Sequence, residues 1–407
     1  MLAQRLLNKH FVNAYELASK SLSRLLFATV VIGPFHFGHL LPLSSLSRPC
    51  PLLIPLSFNL VNPRTIMTRC LSFLSATLSA LSAIALTATC AVTTTAAEGG
   101  LLGQGAFQYK VEAGWGDVST EKIKLNDCHA LRMDSKGRVV MVNNGGNNNV
   151  IIYDKSGKMI ETWGTTFPGV HGLAIVQETA GEFLWLTDHG RNQVIKTTMS
   201  GKEVTVMEWP ENVPPYTAKG QYQPTDIEFG DKGDFYVFDG YGQAMIMHYG
   251  ADGKLIRAFG GKGDAADKLN TPHGGVIDRR DPKKPILLVA SRGHHTIKRF
   301  TLDGDYVDSQ KLPGAEVCDV FILGSDLYVP NLNGFITILD KNNKVVSNVA
   351  GSAPMYNDKG ELQNMNQVGN TFIHPHNIYV DAAGSIYVAQ WASNGTHPVK
   401  LVRQNVK

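Results

Sequence analysis

Acidic residues are almost missing from the start of this 407-residue chain: Met1 to Ile66 holds one, Glu16. That stretch is rich in Leu, Ser and Pro and sustains no 3.6-residue apolar period, so it does not read as an ordinary helical domain. Cysteine is scarce as well. Of five in the chain, only Cys128 and Cys318 lie beyond residue 100, which excludes a disulfide-rich scaffold and leaves either one bridge or two buried thiols. Charge of either sign is modest, with 18% charged residues, a net charge of +3 and no basic stripe, so nothing argues for a nucleic-acid partner.

What is present divides the chain in three. Met67 and Arg69 precede an uncharged run from Cys70 to Ala97 that ends in small residues before Glu98. This pattern reads as a secretory signal cleaved near Ala97, and predicts an exported protein, periplasmic or extracellular, with no stable membrane association afterwards. The run is also long enough for a membrane anchor. The lipoprotein alternative is poor, because Thr87-Ala88-Thr89 does not suit a lipidated Cys90. If translation starts at Met67, residues 1–66 are an atypical extension outside the native protein. Residues 101–407 then form the folded part.

From residue 101 onward the chain is short strands and turns. "GRVVMVNNGGNNNVIIYDKSGKMIETWG" gives an apolar alternation, a Gly-Asn turn, a second alternation, an Asp-Lys-Ser-Gly turn and a third. The unit recurs as "GEFLWLTDHGRNQVIKTTMSGKEVTVMEW", "GDFYVFDGYGQAMIMHYGADGKLIRAFG" and "PILLVASRGHHTIKRFTLDGDYVDSQ", with two weaker copies after them. Each copy follows a short strand with an anchor residue: His129, His171, Thr225, His273, Cys318 and His376. Six repeats spaced 42 to 58 residues apart, four strands each, predict an all-β six-bladed β-propeller. The last repeat has only three strands, so "FQYKVEAGWG" at 107–116 is expected to supply its fourth and close the ring.

His171, His273 and His376 are 102 and 103 residues apart, which places them on the innermost strands of alternate blades. Three imidazoles meeting on one axis, with a fourth position open, are the ligand set of catalytic zinc. The start of each inner strand lies beside the end of the next strand. Asn143-Asn144, Asp188-His189, Asp239-Gly240-Tyr241, Ser291-Arg292, Asn331 and Gln390-Trp391 should therefore share the mouth with the histidines. In that set Tyr241 can move a proton and Arg292 can clamp a carboxylate. Asp188 and Asp239 read as turn formers. His189, His294 and His295 read as rim or solvated residues, and His374 as facing away from the mouth. Asn394-Gly-Thr matches a glycosylation sequon.

"YQPTDIEFGDKGDFYVFDGYG", "NTPHGGVID", "VHGLAI" and "HPHNIYVDAAGSIYV" resemble the peptidyl-α-hydroxyglycine α-amidating lyases, propellers of the NHL type, over about residues 105–405. The resemblance implies zinc on His171, His273 and His376, a catalytic base at Tyr241, and an arginine at Arg292 that binds substrate or supports the tyrosine. It also implies a structural calcium on the carbonyls of Leu131 and Leu173 and an acidic side chain at position 377. The implied activity is a carbon–nitrogen lyase splitting a peptidyl-α-hydroxyglycine into amide and glyoxylate, with a small or peptide substrate bearing a carboxylate.

Three departures bear on those expectations. Position 377 is Asn377, which weakens the calcium set. Asn144 stands where the family has a second arginine, a loss worth about 1.5–3 kcal/mol of carboxylate binding unless His129, Arg191 or His294 replaces it. Tyr222 or Gln223 and Gly242 stand where the family has a disulfide. Two other classes of function stay open: a non-enzymatic propeller presenting one face to a protein or glycan, and a metal-dependent hydrolase of lactones or esters.

Overall fold

The computed structural model describes residues 100–121, 123–392 and 397–405. The uncharged run at 70–97, the extension before it and the Asn394 sequon lie outside them. Among the described residues there is no α-helix, and no helix is long and apolar enough to cross a membrane. Six four-stranded antiparallel sheets follow one another along the chain. Blade one is β2 (Cys128–Met133), β3 (Val139–Asn143), β4 (Val150–Tyr153) and β5 (Met159–Trp163). Blade two is β6 (Val170–Glu178), β7 (Gly181–Asp188), β8 (Gln193–Thr198) and β9 (Glu203–Met207). Blade three is β10 (Asp226–Phe229), β11 (Phe235–Phe238), β12 (Met245–Tyr249) and β13 (Leu255–Gly260). Blade four is β14 (Pro272–Asp278), β15 (Ile286–Ser291), β16 (Thr296–Thr301) and β17 (Tyr306–Lys311). Blade five is β18 (Phe321–Leu323), β19 (Asp326–Asn331), β20 (Phe335–Leu339) and β21 (Val345–Val349). Blade six is β22 (Pro375–Val380), β23 (Ile386–Gln390) and β24 (Val399–Arg403), completed by β1 (Tyr109–Glu112).

The expected closure is present. β1 runs antiparallel to β24 with Tyr109 opposite Arg403 and Glu112 opposite Lys400, and the last two form an ion pair at 2.8 Å. Trp115, just beyond β1, packs on Tyr153 of blade one and Tyr387 of blade six, filling the seam between first and last blades.

The turns have a local cause that repeats. Asp134, Asp154, Asp340 and Asp381 each accept backbone N–H bonds from the residues two and four positions on. The fourth residue of each turn must adopt positive φ, and it is Gly137, Gly157, Asn343 and Gly384, the residue types that tolerate it.

The alternating apolar pattern expected of these strands gives way to burial on both faces in the blade interior. All residues of β3, β4, β11 and β20 are buried, because each blade is sandwiched between two others. Val140 and Val142 of blade one, for example, meet Leu173, Leu184 and Leu186 of blade two. The outermost strands β9 and β17 are largely exposed, whereas β21 of blade five is mostly buried.

Candidate metal centre

The six anchor residues, one per blade, line the upper end of the central channel together with the residue after each. A local irregularity aims four of them there. In blade one Cys128 pairs with Asn143 but Ala130 pairs with Val142, leaving His129 as one extra residue in β2. The same one-residue excess occurs between Val170 and Leu173, between Pro272 and Gly275, and between Pro375 and Asn377. A β-bulge of this kind bends its strand and redirects a side chain. Here the redirected side chains are His129, His171, His273 and His376.

His171, His273 and His376 converge as expected, with ring centroids 4.8 Å apart for the first pair, 4.4 Å for the second and 4.7 Å for His171 and His376. Each is turned by a backbone carbonyl of another blade: Nδ1 lies 2.6 Å from Thr225 O, 2.8 Å from Cys318 O and 2.8 Å from His129 O respectively. A carbonyl only accepts, so in each ring the proton is on Nδ1 and the Nε2 lone pair faces the axis, the arrangement that metal-bound histidines show. Burial, followed by the surrounding imidazoles and Arg292, pushes His171 and His273 well below the usual histidine range, and burial brings His376 down to about 3. The rings are therefore neutral at ordinary pH.

Tyr241 stands over them. Its hydroxyl is 3.2 Å from His171 Nε2 and 3.0 Å from His273 Nε2, while His376 Nε2 is buried with no hydrogen-bond partner. One phenolic proton faces two lone pairs and a third lone pair is orphaned. Such a set could hold a metal ion, and three imidazole nitrogens with a fourth position open match the ligand chemistry of zinc.

His129 is a fourth imidazole, expected from the sequence as an anchor and as a substitute for the missing arginine but not as a member of the histidine cluster. Its ring is 4.3 Å from His171 and 4.8 Å from His376, and by distance between ligand atoms alone these three form a group within 4.8 Å. His273 completes the trio in which a carbonyl fixes every Nδ1. His129 lacks that support: its Nε2 is 3.1 Å from Asn144 Nδ2 and its Nδ1 has no partner. The carbonyl-held trio is the better ligand set.

Around the trio, Arg292 lies over the Tyr241 ring at 5.5 Å and 3.9 Å from Cys318 Sγ. Burial raises the Tyr241 phenol above its ordinary value and Arg292 pulls it the other way. Asp239 holds the loop that carries Tyr241. It accepts from Gln223 N at 2.6 Å, Tyr216 Oη at 2.6 Å and Gln243 N at 2.5 Å. This tie joins the two loops that the resemblance would link by a disulfide. Asp188 likewise accepts from the N–H groups of Gly169, Gly190 and Arg191, as a turn former should.

His189, which hairpin geometry placed in the mouth and its loop position placed at the rim, reaches the site, 5.6 Å from the Tyr241 ring and 5.9 Å from His171. Of the residues considered as substitutes for the lost arginine, Arg191 is committed to Glu203 at 2.6 Å, and His294 bonds Ser291 and faces Asp264. Only His129 is in the mouth. His374 packs on Trp391. Cys128 and Cys318 are buried and not joined in a disulfide.

Calcium fits less well. Leu131 O and Asn377 Oδ1 each accept an N–H of Arg132 at 2.8 Å, so a guanidinium already fills the space between two of the expected ligands. Leu173 holds the matching position of β6. Sequence reading overlooked Arg132 and the buried Asp226 and Asp319, although the two acids directly follow anchors, as Asn377 does.

No family model matches the chain. Human NHL repeat-containing protein 3 is 24% identical over 48% of the chain and 57% of its own length. Peptidyl-alpha-hydroxyglycine alpha-amidating lyase 1 of Drosophila melanogaster is 26% identical over 58% of the chain and 45% of its own length. The chain thus spans about half the length of these two relatives. Among solved structures, a gluconolactonase of Xanthomonas campestris superposes with a TM-score of 0.52 at 14% identity, covering 75% of this chain and 95% of that one, a likeness of fold. The six repeats and their closure into a ring make the chain a six-bladed β-propeller, and at low identity it is similar to NHL repeat-containing and amidating-lyase propellers.

Proposed function

We propose that this propeller is a zinc-dependent lyase acting on a peptidyl-α-hydroxyglycine-type substrate. The observation that carries the reading is the Tyr241 hydroxyl, 3.2 and 3.0 Å from the axis-facing nitrogens of two carbonyl-held histidines. His171, His273 and His376 would hold the ion, which supplies Lewis-acid polarisation of the substrate hydroxyl. Tyr241 takes the proton of that hydroxyl and delivers one to the departing amide nitrogen. The carbon–nitrogen bond breaks, the former carbinol carbon becomes the aldehyde of glyoxylate, and the amide leaves. Arg292, beside Tyr241, binds the substrate carboxylate and holds the phenol in place. Asn144, paired with His129, adds no charge, so a single arginine serves the carboxylate. The uncharged run at 70–97 supports an exported setting, where such a peptide would be met.

Zinc-loaded protein should release glyoxylate from an α-hydroxyglycine peptide. Tyr241→Phe should slow that release about 10²-fold or more with zinc content unchanged. His273→Ala should lose the zinc itself. Hydrolysis of a lactone in place of glyoxylate release would move the chemistry to the hydrolase class, and a wild type without bound metal would remove the enzyme altogether.

A further inference from the structure

The residues that follow the anchors line the channel as well and form a second layer of side chains. Two are buried acids of different blades, Asp226 and Asp319. They crowd Gly274, where a Cβ would lie 2.8 Å from Asp226 Oδ2 and 2.9 Å from Asp319 Oδ1. Arg132 lies two positions beyond Ala130 on β2 and therefore on the same face of the strand. Its Nη1 donates to Leu131 O and to Asn377 Oδ1, both at 2.8 Å, and its Nη2 is 3.8 Å from Asp319 Oδ2. Asn377 completes the connection. Its Oδ1 also accepts from Leu131 N at 3.1 Å, and its Nδ2 donates to Asp319 Oδ2 at 2.5 Å. One guanidinium from blade one is thereby tied to blades five and six, across the seam where the ring closes.

We propose that Arg132 is the resident cation of this layer, standing in the place of the calcium that the resemblance implies, and that the protein neither binds nor needs calcium there. Calcium takes six to eight oxygens at about 2.3–2.6 Å. Here two of the candidate oxygens already accept N–H bonds from a cation, and a dication brought beside it would be repelled. Asn377 suits the guanidinium better than an acid would. Its carbonyl oxygen meets N–H donors and its amide nitrogen meets Asp319, whereas a carboxylate would set two like charges together.

The test needs no turnover, so it stands apart from the proposed lyase reading. Protein stripped of metal and reloaded with zinc is titrated with calcium chloride by calorimetry, and its melting temperature is read with and without calcium. The expected result is no saturable heat and no shift. One calcium per chain with a raised melting temperature would overturn the proposal. Arg132→Met keeps the apolar stem, removes the donors, and should lower the melting temperature by roughly 5 °C or more. A variant as stable as the wild type would overturn the stapling role. Arg132→Ala combined with Asn377→Asp should acquire calcium-dependent melting, and failure to do so would show that the guanidinium does not occupy a cation's place.

Discussion

An imidazole with one nitrogen tied to a carbonyl and the other facing an axis has its tautomer decided before any ligand arrives. In His171, His273 and His376 burial also keeps the ring neutral, so no proton has to be expelled when a cation binds near neutral pH. The carboxyl of Glu228, farther along β10, is perturbed in the opposite sense. Its Oε1 accepts from Ile277 N at 3.0 Å, and burial pushes it up to about 7. A folded value above the unfolded one means that its contribution to stability is full below about 4.5 and is lost as pH rises through 7. Glu228→Gln keeps the acceptor and removes the titration. Because 23% of the side chain remains exposed, the variant should gain only about 1–2 kcal/mol over the wild type at pH 8.5, and little at pH 5. Denaturant midpoints at the two pH values, at equal zinc loading, measure it. A gain of equal size at both would clear this carboxyl of the effect.

At the scale of the element, the inner strands combine a bulge that redirects a histidine with small residues that leave the channel its width. Gly274 follows the bulged His273, and any side chain there meets Asp226 Oδ2, Asp319 Oδ1 and Cys318 O within 3.1 Å. Gly274→Ala should cost about 1–3 kcal/mol, seen as a lower urea midpoint with unchanged slope. A midpoint equal to the wild type would mean that the two acids move aside freely. The same strands mark what could be read beforehand. Regular turn chemistry and the 102- and 103-residue intervals gave the blades, the closure by residues 107–116 and the trio of histidines. The register that puts Asp188 and Ser291 beside the inner-strand starts followed from hairpin geometry alone. What escaped were contacts across blades. The His129 carbonyl accepts from His376 Nδ1 while the His129 ring enters the cluster, and Arg132 reaches Asn377, 245 positions away. No local pattern encodes a partner that only the closed ring brings near.

The whole molecule depends on that closure, because the candidate metal position is built from blades two, four and six, and none of these touches the next through a shared sheet. The histidines meet only if the ring is held at its circumference, and blade six is held there by β1, which comes from the opposite end of the chain. A chain beginning at Asp117 would lack β1 and also Trp115, whose burial between Tyr153 and Tyr387 is worth about 3–5 kcal/mol by itself. It would leave the backbone edge of β24 unpaired, a template for association with other copies. The expected outcome is a chain that elutes as soluble aggregate in size-exclusion chromatography and holds less than one zinc per molecule. A synthetic peptide of residues 107–116 should restore both monomer and metal by adding its strand to that edge. Restoration of the monomer without metal would show that the strand closes the ring but does not set the spacing of the histidines. A truncated chain that is monomeric and fully zinc-loaded would mean that blades one and six hold each other without it.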